Sequence, residues 1–230
     1  MKSTGPVGMV LTLAVAGFFS GVALVGAYLA TQPMIRENRA RALEEAIYRV
    51  LPGAVERKAF IIAEGRLAPA SDTDNEASPG EVAYAGYDEQ GTLIGYAIPA
   101  EGPGFQDTIE LLYGYSPERS HVLGMEILQS RETPGLGDKI AKDPGFVSSF
   151  RQLSTDPRIE PVKPGTGNQP NQVDTISGAT ISSKAVVNII NQSLTHWKPL
   201  LHTAPGQALL PSQGDATPPS RLRTLEGSRQ

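Results

Sequence analysis

The sequence predicts an α+β fold, an antiparallel sheet with flanking helices, preceded by a single N-terminal transmembrane helix. Three observations carry that expectation. Positions 7–30 hold no charge, paired apolar runs alternate between 82 and 128, and Val186, Ile190, Leu194 and Trp197 recur at steps of four, four and three. A period of two reads as strand, and a period near 3.6 as helix. Helix, antiparallel strands and then helix imply a domain with its helices on one side of a sheet.

Residues 1–6 make a short N-terminal segment. The run 7–30 is interrupted only by Thr12, Ser20 and glycines, and at about 1.5 Å rise per residue it is long enough to cross a bilayer. A cleavable signal peptide has an apolar region of only about 7–15 residues and small residues before the cut. Here Tyr28 stands three positions before Thr31, so the span reads as an uncleaved anchor. Gly17 and Gly21 form a lone small-xxx-small pair, the spacing that lets another membrane helix approach. Segment 31–53 reads as a juxtamembrane helix, with Ile35, Ala42, Leu43, Ala46, Ile47 and Val50 on one face and Pro52-Gly53 as its stop.

The main domain is expected over 54–201. Positions 69–80, rich in Ser, Asp, Asn and Pro, read as a loop. Asp72, Asp74 and Glu76 alternate there without the mid-loop Gly of a calcium-binding hand, so the stretch reads as solvent-facing acidic surface. Strand-like runs follow at 82–87 and 92–98, joined by Asp88-Glu89-Gln90-Gly91, and again at 109–115 and 122–128, joined by Ser116-Pro117-Glu118-Arg119. Gly102-Pro103-Gly104-Phe105 between the pairs reads as a plain connector in preference to a direct contact with a ligand. Gly145, Phe146, Phe150 and Leu153 suggest a short helix and its packing face, and 157–170 is loop. Pro199 is expected to close the last helix. Beyond Leu201 the chain is polar and Pro-rich, and 202–230 is expected to be a disordered tail.

Two short blocks carry chemistry. Asp174-Thr175-Ile176-Ser177-Gly178-Ala179-Thr180 is a hydroxyl-rich, small-residue turn opening into the last helix. Unpaired N–H groups and the positive dipole end make a helix start a seat for phosphate. Gly178 and Ala179 leave the backbone uncovered for a bulky anion, Ser177 and Thr180 offer hydroxyls, and Lys184 lies one turn on, on the face of Thr180. The plainer reading is an N-cap made by Ser177 or Thr180. In the second block, Glu132-Thr133-Pro134-Gly135-Leu136-Gly137-Asp138-Lys139-Ile140, proline and glycine preset a type II turn. That turn projects Leu136 outward between Gly135 and Gly137, which do not obstruct a flat ligand. Glu132 orients the turn, tunes a ligand's charge, or pairs with Arg131 or Lys139.

Composition excludes other chemistries. The 230 residues carry a net charge of −4 and no Lys/Arg-rich run, so no nucleic-acid surface is expected. With no cysteine, disulfides, thiolate metal sites and cysteine nucleophiles are ruled out, and three scattered histidines argue against a His-based metal site. No Gly-x-Gly-x-x-Gly follows a strand and no Ser/His/Asp arrangement has supporting signatures, so nicotinamide is handled elsewhere and no catalytic residue is assigned.

Asp174 to Thr180 meets every position of the D-x-[IV]-[ST]-G-A-[ST] pattern and so resembles the covalent FMN-binding domain family. The block from Glu132 to Gly137 is similar to the E-T-P-G-L-G segment of two members, the G subunit of the Rnf electron-transport complex and the C subunit of the sodium-translocating NADH:quinone reductase. The continuation Gly-Asp-Lys-Ile and the modest length are more similar to the Rnf member. The resemblance implies FMN held by a phosphoester on Thr180, attached by a dedicated flavin transferase, with Leu136 against the isoalloxazine ring and Thr133 on its polar edge. It implies that Asp174 helps the transferase place Mg²⁺ during attachment. It also implies an anchored electron relay among other subunits of a membrane complex that couples ferredoxin/NAD electron transfer to ion translocation, without turnover alone. Alternatives are the corresponding quinone reductase component, a stand-alone anchored flavoprotein, and a non-redox binding or scaffold module. On orientation the signals diverge. Arg36, Arg39 and Arg41 after the span place the domain in the cytoplasm by charge count, whereas the resemblance implies an inner-membrane anchor with the flavin domain on the periplasmic side.

Overall fold

The computed structural model describes residues 5–63, 66–70 and 81–202. Helix α1 (Pro6–Val50) runs for 45 residues, so the span and the juxtamembrane helix are one element, without a break at 30/31. Pro33 lies inside it. Its ring removes one backbone hydrogen bond, but the good helix formers on both sides continue the helix cooperatively across a single missing bond. The membrane-length part, of mean hydropathy 2.1, buries nothing against the other described residues. Among the described residues the last turns pack, with Ala46, Ile47 and Val50 buried and Leu43 against them, and the chain then turns at Gly53, φ +94°.

Seven antiparallel strands follow in one sheet: β1 (Glu56–Ala63), β2 (Arg66–Pro69), β3 (Val82–Tyr87), β4 (Leu93–Pro103), β5 (Thr108–Ser116), β6 (His121–Ser130) and β7 (Leu153–Ser154). Their order is β2-β1-β3-β4-β5-β6-β7. The first two were not foreseen. Residues 56–63 read three charged positions and then an apolar run, without period-two alternation. Between β6 and β7 lie α2 (Lys139–Lys142) and α3 (Pro144–Ser148), and β8 (Glu160–Val162) pairs in parallel with β9 (Gln172–Asp174) before α4 (Thr180–His202).

Helices cover both faces of the sheet, not one. On one face Ile98, Leu111 and Tyr113 pack with Val186, Ile190, Leu194 and Trp197 of α4. On the other, Ala97 and Leu112 pack with Ala46, Ile47, Val50 and Leu51 at the end of α1. Neighbours along a strand thus serve opposite cores, so the central strands read apolar at successive positions, as strands covered on both faces do. Val50 seats so closely that its carbonyl lies where a Cβ on Gly114 would be. The Tyr113 hydroxyl is buried against the Ser193 hydroxyl at 2.8 Å, and burial raises its pKa despite that bond.

Helix α4 does not stop at Pro199 but includes it. Trp197 and Leu201 are both buried, so the last turn is held by packing on either side of the proline. The acidic positions Asp72, Asp74 and Glu76 lie outside the described residues, as does the expected tail apart from His202.

Candidate functional site

The segment 174–180 crosses from the two-stranded β8–β9 unit to the start of α4. Thr175 fixes the crossing, donating both its N–H and its hydroxyl to the Val162 carbonyl at 2.9 Å each. A tight turn follows, with the Ala179 N–H donating to the Ile176 carbonyl at 3.0 Å and Gly178 at φ +82°. Among the described residues neither the Ser177 nor the Thr180 hydroxyl accepts a backbone N–H, and the hydroxyl that ties the turn to the helix is that of Ser183. Ser183, fully buried, accepts from the Ile176 N–H at 3.1 Å and donates to the Ala179 carbonyl at 2.8 Å. Thr180 is left exposed, its hydroxyl only within 3.5 Å of the Ile176 carbonyl. It sits in the first turn of α4, where N–H groups lack intrahelical acceptors.

The small residues divide their work. Gly178 is exposed and open, and a Cβ there would meet only Leu136 Cδ2 at 3.8 Å and Lys139 Nζ at 4.0 Å. Ala179 is 4% exposed, so its size serves packing and does not uncover the backbone. Ser177 is exposed and lines an adjoining polar groove with Asp174 and Lys139, not the cavity around Thr180. Asp174 accepts from the N–H groups of Gly167 at 2.9 Å and Thr166 at 3.2 Å, tying down the preceding loop. Among the described residues no three of His, Cys, Asp and Glu gather where a metal ion fits.

The second block forms the expected turn. Leu136 N–H donates to the Thr133 carbonyl at 3.1 Å, with Gly135 at φ +77° and open space around it. Leu136 projects outward, 51% exposed. Thr133 donates its hydroxyl to the Gln106 side chain at 2.8 Å. Gly137 has another role than clearing a ligand's path, since a Cβ there would meet Glu132 Oε2 at 2.5 Å and Ser182 Oγ at 2.9 Å.

Glu132 is the tie between the walls. Only 5% exposed, its carboxylate accepts from the N–H groups of Phe105 and Gln106 at 2.9 Å each and from the Ser182 hydroxyl at 2.5 Å. It pairs with neither Arg131, which faces Asp107 at 3.7 Å, nor Lys139. Burial alone would raise its pKa. The bond from Ser182 and those from the backbone N–H groups of Gln106, Phe105 and Asp107 outweigh burial, and the net shift is downward. Glu132 is therefore ionised and satisfied, as a buried charge must be.

Together these elements enclose a cavity of about 300 Å³, lined by Phe105, Thr133, Leu136, Gly137 and the stretch Gly178 to Ser182. Among the described residues, Phe105 (64% exposed), Leu136 and Ile181 (58%) are three of the four exposed large hydrophobic side chains beyond α1. An apolar-walled recess with a weakly held hydroxyl and first-turn helix N–H groups at its mouth suits a flat ring carrying a phosphate. Ile181 was not singled out from the sequence, and Phe105, Ser182 and Lys139 were read there without a place among the residues that bind a cofactor. The one available signal for Phe105 was the Gly-Pro-Gly turn read as a connector. Lys184 is exposed on α4, one turn beyond Thr180, with no ion pair among the described residues.

Residues 104–195 match the FMN-binding domain family. The G subunit of an ion-translocating oxidoreductase complex from Methanosarcina acetivorans is 31% identical over 188 residues, covering 82% of this chain and 92% of that protein. The G subunit of the Na(+)-translocating ferredoxin:NAD(+) oxidoreductase complex of Acetobacterium woodii is 30% identical, covering 80% and 87%. Among solved structures, the C subunit of the Na(+)-translocating NADH-quinone reductase of Parabacteroides distasonis shares the fold with a TM-score of 0.60 at 20% identity, over 77% of this chain and 98% of that one. NqrC of Shewanella oneidensis gives 0.57 at 16%, over 74% and 100%. With a site of this build and relatives matched along most of their length, the chain belongs to the family of G subunits of ion-translocating oxidoreductase complexes and carries that family's FMN-binding domain.

Proposed function

We propose that this protein is a membrane-anchored flavoprotein subunit that carries FMN as a phosphoester on Thr180. It relays electrons within a multi-subunit complex coupling ferredoxin/NAD electron transfer to ion translocation. The observation that carries the reading is the exposed Thr180 hydroxyl at the start of α4, held only by a long 3.5 Å contact to the Ile176 carbonyl. Leu136, Phe105 and Ile181 would hold the ring, Thr133 would meet its polar edge, and the first-turn N–H groups of α4 would meet the phosphate. Esterification makes the bond from Thr180 Oγ to phosphorus and breaks the phosphoanhydride of a flavin dinucleotide donor. The hydroxyl proton goes to solvent and a nucleoside monophosphate departs, with no change in oxidation state. Bound there, FMN supplies reversible electron transfer, while the chain supplies position and charge. A flavin transferase performs the attachment, and the protein has no turnover alone.

Mass spectrometry of protein made with an active flavin transferase tests this. Wild type gains the mass of an FMN ester, Thr180→Ala gains none, and an unmodified wild type refutes the reading. The helix α1 anchors the domain, and by the family's pattern the domain lies on the periplasmic side. A C-terminal alkaline phosphatase fusion is then active. An inactive fusion, with a cytoplasmic reporter at the same site active, favours the orientation given by Arg36, Arg39 and Arg41.

A further inference from the structure

We propose that Lys139, and not Lys184, is the cation that faces the phosphate on Thr180. The inference rests on the ester reading above and adds a residue to it. Lys139 opens α2 directly after the turn that carries Leu136, its N–H donating to the Leu136 carbonyl at 3.3 Å. Its ammonium group reaches back across that turn to within 4.0 Å of where a side chain on Gly178 would begin. Gly178 has no side chain, so nothing on that residue stands between the ammonium and the backbone two positions before Thr180. Both walls of this gap come from parts of the chain far apart in sequence, the 133–140 block and the 174–180 block.

The neighbouring charges are disposed to leave Lys139 available. Asp138, adjacent in sequence, holds Lys142 at 2.6 Å. Asp143 accepts from the Phe146 N–H at 2.9 Å as the cap of α3, and Asp174 accepts from Gly167 and Thr166. Among the described residues no carboxylate forms an ion pair with Lys139. Lys139 is half-buried, whereas Lys184 is exposed and lies one turn further into α4. A lysine held beside a glycine at a helix start is a point charge suited to a phosphate oxygen.

The experiment uses full-length holoprotein made with the transferase, as wild type and as Lys139→Gln, Lys139→Arg and Lys184→Gln. The 31P resonance of the ester and the fluorescence anisotropy of the flavin are compared, with melting temperature as a check on folding. Lys139→Gln is expected to move the 31P line and lower the anisotropy, Lys139→Arg to restore both toward wild type, and Lys184→Gln to leave both unchanged. A 31P line in Lys139→Gln superimposable on wild type overturns the assignment, as does a shift found in Lys184→Gln instead. A wild type without any ester overturns the reading beneath it, which is a separate outcome. Should Lys139→Gln not fold, the crystal structure of unsubstituted holoprotein decides, with Nζ within about 4 Å of a phosphate oxygen expected and a wider separation contrary.

Discussion

At the scale of single residues, Glu132 and Thr180 make opposite demands on the fold. Thr180 is exposed and its hydroxyl makes one contact at 3.5 Å, so Thr180→Ala changes stability by no more than about 0.5 kcal/mol while abolishing flavin attachment. Glu132 ties Phe105, Gln106 and Ser182 together. Its truncation to Ala leaves the buried Ser182 hydroxyl and two half-buried N–H groups unpaired and costs about 2–4 kcal/mol, read as a lower midpoint in urea. The sign of its pH dependence follows from its lowered pKa. The stability it contributes is fully present above the ordinary glutamate value of about 4.3 and is lost as pH falls through the lower folded value. Wild type therefore loses stability faster than Glu132→Gln as pH drops below about 4.3, measured by melting temperature across that range. The T-P-G-L-G turn was legible because it rests on local backbone chemistry. The role of Glu132 was not, because its partners lie 27 and 50 positions away and nothing local names them.

At the scale of elements, the central hairpins and the last helix were legible because turn residues punctuate them. Asp88 and Gly91 close the first hairpin with a 3.0 Å backbone bond. The helices on both faces were not legible, since alternation vanishes when Leu111 and Leu112 each enter a different core. Nor were the continuations of α1 through Pro33 and α4 through Pro199, where length and packing override one missing donor. The seat of α1 on the sheet depends on Gly114 and Gly124, both under the backbone of Val50. Gly114→Ala pushes a methyl into the Val50 carbonyl and is expected to cost about 1–3 kcal/mol, as overpacking does. Hydrogen exchange then accelerates first in residues 43–50, ahead of the helix α4 face.

At the scale of the whole molecule, one helix joins the membrane span to the flavin-binding domain. Inserting a single alanine between Glu37 and Arg41 turns everything beyond it by about 100° about the helix axis. Flavin content is expected to stay at wild-type level, while electron transfer through the assembled complex in membranes falls. Four inserted residues, about 1.1 turns, restore most of the facing and recover part of the rate. Equal rates for both insertions would mean that facing does not matter.

That uninterrupted helix also bears on which party is expected to travel. A domain on a loose tether shuttles its cargo between donor and acceptor. One mounted on a stiff post holds its cargo at a set height and bearing, so the centres that exchange electrons with it must be brought to that address by the scaffolding of their own polypeptides.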